Sequence, residues 1–298
     1  MKVKKRITLV IPVGPARSFE VEESLQKLHK RIEIFVELGE NPSLNRNKGI
    51  KSAHTEFVAF ANSHCTIPAE WVDAVERFFD AHPEIDIVGG PQLTHRRESS
   101  FARASGYALS SLFGGADLRS RYSRMPSILK ANEKHLTSAN LICRKKVFKK
   151  VMFDEKLWPG EDPKFISDAI TAGFKVAYES SIYVYHKRRE SFKDLSYQMF
   201  SYGAVRNKKE PLKSTIIKPM FLIPSTFVLY LLFLPLLSIL NIYFVLPLMV
   251  YVALNLLFSF YESIRNKDIG TLHLLPAVLF TIHISYGVGF IYGKISRV

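Results

Sequence analysis

The run Ile7-Thr-Leu-Val-Ile-Pro-Val is apolar at almost every position and closes on Gly14-Pro15. A run of that length without alternation is the pattern of a strand covered on both faces of a sheet. Residues 18–31 then take helical spacing, with Val21, Leu25 and Leu28 on one side, Ser18 placed to cap, and Glu22 and Glu23 in the first turns. Ile32-Glu-Ile-Phe-Val predicts a second strand, residues 42–54 a loop and then a helix, and Glu56-Phe-Val-Ala-Phe-Ala a third strand. Residues 68–82 predict an amphipathic helix presenting Trp71, Val75, Phe78 and Phe79, and Ile85-Asp-Ile-Val-Gly-Gly a fourth strand. Strands alternating with helices at this spacing argue for a doubly wound α/β sheet. Ligands of such sheets sit beyond the carboxyl ends of the strands. Those ends fall here at 12–17, 37–45 and 62–66.

The pattern changes after residue 215. Residues 219–261 contain no charged side chain over 43 positions, about twice the ~20 residues that cross a bilayer as a helix. Ser238, Asn241 and Tyr243 break the stretch, which predicts helices at 219–240 and 243–261, and a third apolar stretch follows at 272–292. None has the polar outer face that a helix on a soluble core needs. The expected organisation is therefore a globular domain over 1–215 and a transmembrane region over 216–298.

Charge sharpens this division. The 298 residues carry 41 Lys+Arg against 27 Asp+Glu, a net charge of +14, yet only 5 basic and 2 acidic residues lie after position 215. Lys187, Arg188, Arg189, Lys193, Arg206, Lys208, Lys209, Lys213 and Lys218 precede the first apolar helix, and Arg265 and Lys267 follow the second. Basic flanks stay on the cytoplasmic side. The expectation is a multi-pass protein of the cell membrane with a cytoplasmic globular domain, its third helix crossing so that the C-terminus lies outside. Basic clusters at this position also bind anionic membrane lipid. The basic start, Met1 to Arg6, precedes too short an apolar run for a signal peptide. The composition excludes a disordered chain, a disulfide miniprotein and a wholly soluble enzyme. Cys65 and Cys143 are too few for a zinc cluster or a disulfide framework. No nucleic-acid reader motif occurs, so no nucleic-acid partner is expected.

Several segments together resemble family 2 glycosyltransferases of the GT-A fold, above all the membrane-bound members that build exopolysaccharides or lipid-linked glycans. Residues 7–14 resemble the opening strand. Ser43-Leu-Asn-Arg-Asn-Lys-Gly-Ile is similar to the family's Arg-Asn-x-Gly helix entry, and residues 57–71 to the strand that carries its metal motif. Phe153-Asp-Glu-Lys-Leu-Trp-Pro-Gly-Glu-Asp resembles the acceptor-side Glu-Asp motif, with Ala172-Gly-Phe-Lys-Val and Val184-Tyr-His following. The resemblance implies a doubly wound, Rossmann-like nucleotide-sugar domain. It implies inverting transfer of a hexose from a nucleotide sugar to a polyprenyl-phosphate-linked or polysaccharide acceptor.

On that resemblance Asp162 is the catalytic base, accepting the proton of the acceptor hydroxyl, and Glu161 holds the loop or meets the acceptor. A purely local reading makes Asp162 a helix N-cap with Pro163 at the first helical position. Pro12, Val13 and Glu37 would meet the nucleoside, and Arg46 and Asn47, opening a helix whose amides favour anions, would help to hold the nucleotide. Ser43 and Asn45 read as turn residues. Arg189 and Gln198 resemble the element that covers the donor. The Gln92–His135 region stands where acceptor loops occur in this fold.

The family's Asp-x-Asp falls on Asn62-Ser63-His64, so both carboxylates are absent. Asn62 and Ser63 can still meet the donor. The Mn²⁺ or Mg²⁺ implied by the resemblance would be held by His64 and His186. Three readings stay open: an unusual metal site, metal-independent transfer aided by basic side chains, and a catalytically degenerate scaffold that binds glycan lipid or a partner enzyme. In the third apolar stretch, His283, Tyr286, Gly287, Gly289 and Gly293 serve either helix packing or contact with a polyprenyl phosphate headgroup.

Overall fold

A computed structural model describes residues 5–15, 22–209 and 219–296. The expected cap at Ser18, the strand-end residue Arg17, the basic residues Lys213 and Lys218 and the expected boundary at 215/216 lie outside the described residues. The chain forms two compact units, one of residues 1–95 and 120–187, the other of residues 96–119 and 188–298.

The first unit is built on a mixed sheet. Strands β1 (Ile7–Val13), β2 (Glu33–Leu38) and β3 (Phe57–Ala61) alternate with helices α1 (Glu22–Leu28) and α2 (Pro42–Ser52). Short β4 (Cys65–Thr66) leads to α3 (Trp71–Ala81), then β5 (Ile87–Gly89) and β6 (Gln92–Leu93). β1 lies parallel to both β2 and β3, and every residue of β1 and β3 is buried, as their continuous apolar runs require. The phenyl ring of Phe57 stacks on Phe79 at 4.3 Å, which fastens α3 to the sheet. Gly49 lets α2 lie directly on β1, because a Cβ there would stand 2.3 Å from a methyl of Val10.

After residue 120 the chain adds β7 (Asn140–Arg144), α6 (Glu161–Thr171), β8 (Val176–Tyr178) and β9 (Val184–His186). The six-stranded sheet has the order β2-β1-β3-β7-β5-β8. β7 runs antiparallel to β3 and β5, while β5 and β8 are parallel. The expected α/β class holds, with one strand reversed inside an otherwise parallel sheet. A small sheet, β4-β9-β6, stands beside it and pairs Cys65 with His186.

The second unit contains α4 (Ser100–Ser110), α5 (Leu112–Gly115), α7 (Phe192–Lys209) and three apolar helices: α8 (Ile223–Leu240), α9 (Leu246–Arg265) and α10 (Leu275–Ile295). The segments 223–240, 242–265 and 275–295 are long and apolar enough to cross a membrane. Glycines decide how closely α7 and α10 approach. A Cβ on Gly289 would lie 2.1 Å from the Phe200 carbonyl oxygen, and one on Gly293 equally close to that of Ala204. These contacts are the small-residue packing expected for the third stretch. His283 donates from Nε2 to the Phe113 carbonyl at 2.9 Å and accepts at Nδ1 from the Tyr251 hydroxyl at 2.9 Å. Asp268, just beyond α9, receives the Arg103 Nε at 2.6 Å and the Tyr107 hydroxyl at 3.2 Å. That pairing ties α4 to the apolar helices.

Candidate active site

The carboxyl ends of β1, β2 and β3 open on one edge of the large sheet, and the expected donor residues lie along it. Pro12 stands opposite Glu37 and Val13 opposite Leu38 in the β1–β2 register. The Gly39 N–H donates to the Val13 carbonyl at 3.0 Å, which closes the β1–β2 edge. Ala61, at the end of β3, pairs with Asn140 at the start of β7, so the residues before Asn140 share this edge with Asn62. Ser138 is one of them, and its backbone N–H donates to Asp162 Oδ2 at 3.1 Å. The edge that carries Asn62 thus also carries Asp162, although 100 positions separate them in sequence.

α6 begins two residues earlier than the capping reading places it, so Asp162 is not the cap. Gly160 is its cap, at φ 113°, a left-handed conformation that glycine adopts without steric cost. Glu161 and Asp162 therefore occupy the first helical turn, where the helix dipole favours carboxylates. Glu161 is buried; its Oε2 accepts from the Gly160 N–H at 2.8 Å and its Oε1 from Arg46 Nη1 at 3.0 Å. Burial pushes the Glu161 carboxyl above its ordinary range. The neighbouring Asp162 adds to that rise and the Arg46 charge opposes it.

Arg46 is 3% exposed and lies with its guanidinium 5.3 Å from the centre of the Phe153 ring. Asn47 uses its whole amide on one loop. Nδ2 donates to the Phe153 carbonyl and to Glu155 Oε1, each at 2.9 Å, and Oδ1 accepts the Phe153 N–H at 3.1 Å. Asn41, the cap of α2, donates to the Glu155 carbonyl at 2.7 Å while its Oδ1 accepts the Leu44 N–H at 3.1 Å. α2 begins at Pro42, so Arg46 and Asn47 lie in its second turn instead of opening it, and Ser43 and Asn45 are helical instead of turn residues; its first two turns hold the segment that leads into Glu161 and Asp162. The sequence reading missed Asn41, Ser138 and Glu155. The cue for Asn41 was three asparagines within seven residues, a density that marks side-chain bonding to backbone.

At the other side, the β4–β9 pairing carries His64 to His186. Their Nε2 atoms are 3.0 Å apart with rings edge to face, and the Asn62 amide lies 3.3 Å from His186 Nε2. Among the described residues no group of three or more His, Cys, Asp and Glu converges. The two imidazoles suit an ion that accepts nitrogen better than they suit Mg²⁺, which takes oxygen, and the Asn62 carboxamide could add only its oxygen; among the described residues this falls short of a full ligand set. Ser63 is buried within this turn. Arg189 is exposed and Gln198 donates to the Tyr202 hydroxyl at 3.2 Å; both belong to the second unit.

Residues 16–152 match the family model described as Glycosyl transferase family 2. The chain is similar to the pre-mycofactocin glycosyltransferase of Mycobacterium tuberculosis, in strains CDC 1551 / Oshkosh and ATCC 25618 / H37Rv. The identity is 29% over 163 residues, 54% of this chain and 33% of theirs. The match spans about a third of the length of these curated relatives. Among solved structures, TarS of S. aureus aligns at 18% identity and a TM-score of 0.45 over 67% of this chain and 40% of its own. TarS 1-349 in complex with UDP-GlcNAc aligns at 16% identity and a TM-score of 0.45, over 98% and 92%.

Proposed function

The chain carries a family 2 glycosyltransferase domain, and from that premise we propose that it is a membrane-bound, inverting glycosyltransferase. It moves a hexose from a nucleotide sugar to a lipid-linked or polysaccharide acceptor at the cytoplasmic face. The observation that carries this reading is the Asp162 carboxylate on the edge formed by the strand ends. Its Oδ2 is pinned by the Ser138 amide, whereas Oδ1 is buried and makes no hydrogen bond.

An acceptor hydroxyl meeting Oδ1 would give up its proton as its oxygen attacks the anomeric carbon. The bond from Ser138 to Oδ2 holds the orientation of the carboxylate, while the buried Oδ1 is reached only when the arriving acceptor opens a path to it. Pro12, Val13 and Glu37 line the place for the nucleoside, with Asn62 and Ser63 at the end of the third strand. His64 and His186, with Asn62, would hold a nitrogen-accepting divalent ion. Such an ion supplies positive charge against the leaving diphosphate when bound. The apolar helices would keep the domain at the bilayer, where a polyprenyl-phosphate-linked acceptor is concentrated.

A second reading has one observation in its favour: both carboxylates of the usual metal motif are replaced. It makes the chain a glycosyltransferase-like scaffold that binds glycan lipid or a partner enzyme. Calorimetry with UDP- and GDP-sugars, with and without Mn²⁺, separates the two. The transferase reading expects saturable binding of a nucleotide sugar in the micromolar to millimolar range common to enzyme substrates. Absence of binding by every nucleotide sugar would favour the scaffold.

A further inference from the structure

We propose that Arg46 and Glu161 are positioning residues that set the charge of the Asp162 carboxylate, and that Arg46 is not a ligand of the nucleotide. The proposal rests on the reading of Asp162 as the base and adds to it the pair of residues that keeps that base from being neutralised.

Three charges lie together beneath the strand ends. Arg46 Nη1 is 3.0 Å from Glu161 Oε1 and 3.9 Å from Asp162 Oδ1. The side chains of Arg46 and Glu161 are 4% and 7% exposed, that of Asp162 20%. The guanidinium therefore makes its short bond to the deeper carboxylate and only approaches the shallower one. A guanidinium meeting a lone carboxylate forms short charge-assisted bonds, and Asp162 is within a small movement of providing them. Glu161 prevents this by taking Nη1 first. Arg46 in turn is needed because two neighbouring carboxylates with no cation between them share a proton.

The arrangement makes the two neighbours of Asp162 act in opposite directions. Without Arg46, Asp162 and Glu161 repel and Asp162 holds its proton to higher pH. Without the Glu161 charge, Arg46 turns to Asp162, whose Oδ1 becomes an ion-pair partner and a poorer base. Other charged groups near this turn have partners of their own. Lys164 pairs with Asp168 at 2.6 Å, and Glu155 is held by Asn47. The remaining polar contact of Asp162 is the Ser138 amide, which no single-site change at Arg46 or Glu161 removes.

The test is the titration of Asp162 in the full chain. Infrared difference spectra of the carboxyl band, each variant against the same variant with Asp162→Asn, report its midpoint whether or not a substrate turns over. Arg46→Gln should raise the midpoint by about 1 pH unit or more, and Glu161→Gln should lower it by a similar amount, the range for a charge within a few ångströms. Arg46→Lys should keep the midpoint near that of the parent chain. Calorimetry with UDP should show nucleotide affinity unchanged within about threefold in all three variants, well under the tenfold that 1.4 kcal/mol represents.

Midpoints that move in the same direction in Arg46→Gln and Glu161→Gln, or that stay put in both, overturn the proposal. So does a tenfold loss of UDP affinity in Arg46→Gln with an unmoved midpoint, which would make Arg46 a phosphate ligand. If Arg46→Gln fails to fold, the direction of the Glu161→Gln shift decides alone. Failure of the base reading looks different: turnover would survive Asp162→Asn while the two midpoints still moved apart.

Discussion

Asp162 accepts the backbone N–H of Ser138 at 3.1 Å. Ser138 lies two residues before Asn140, which pairs with Ala61 at the end of β3. Through that one bond the acceptor-side carboxylate is fixed to the strand that carries Asn62. The catalytic reading therefore depends on the entry to a short antiparallel strand, β7, as much as on the motif that holds Asp162.

The Asn47 amide makes the first prediction. Asn47→Ala removes the donor to the Phe153 carbonyl and to Glu155 Oε1, and the acceptor of the Phe153 N–H. With the site buried, the loss should cost about 2–3 kcal/mol, the range for buried groups left unsatisfied. Urea unfolding of the soluble-side signal checks the size. Turnover should fall further than stability alone accounts for, because the 153–160 loop then no longer holds Asp162 in place.

The proposed metal site at His64 and His186 is tested by ion replacement. After chelation, Mn²⁺ should restore nucleotide-sugar binding where Mg²⁺ does not. His186→Ala should remove the Mn²⁺ effect while leaving the fold intact, since β4 and β9 pair through their backbones. Calorimetry of UDP with each ion measures both outcomes; equal restoration by Mg²⁺ would contradict the assignment.

Packing of α7 on α10 is tested at Gly289. A side chain there would meet the Phe200 carbonyl oxygen at 2.1 Å, so Gly289→Val must push the helices apart. The expected result is a loss of at least ~2 kcal/mol, in the range for overpacked sites, seen as a lower thermal midpoint in detergent. Gly270→Ala is the control, since only the Asp268 carboxylate lies near its added carbon, at 3.5 Å.

His135 carries a pH prediction. Burial holds its imidazole below its ordinary value, and Nδ1 accepts the Asn132 N–H at 3.1 Å, which requires the neutral ring. The folded state thus binds fewer protons than the unfolded state. Stability is complete above about pH 6.5, the unfolded value, and is lost as pH falls below it. Thermal midpoints at pH 7.5 and 5.5 should differ more in the parent chain than in His135→Asn.

Much of the first unit was legible because its strands are buried on both faces. The continuous apolar runs of β1 and β3 leave no polar face to mistake for a surface strand. β7 escaped notice because Asn140-Leu-Ile-Cys-Arg is short and its reversed direction leaves no trace in hydrophobic spacing. α4 was hidden for another reason: Ser-Phe-Ala-Arg-Ala-Ser-Gly is rich in small residues, and its place beside the apolar helices depends on Asp268, 165 positions away. The motif carried Asp162 and Glu161 plainly, but not the Ser138 amide, since a backbone donor has no residue signature. Arg46 and Asn47 were visible as residues, while the loop they hold became apparent only from their partners.

The most direct measurement compares Asp162→Asn with the parent chain for donor binding and transfer side by side. Removing a general base whose neighbours stay in place predicts a fall in turnover of about 10²–10⁴-fold with nucleotide-sugar affinity unchanged. Turnover close to the parent rate, in a variant that still binds donor, would show that the Asp162 carboxylate takes no proton in the reaction.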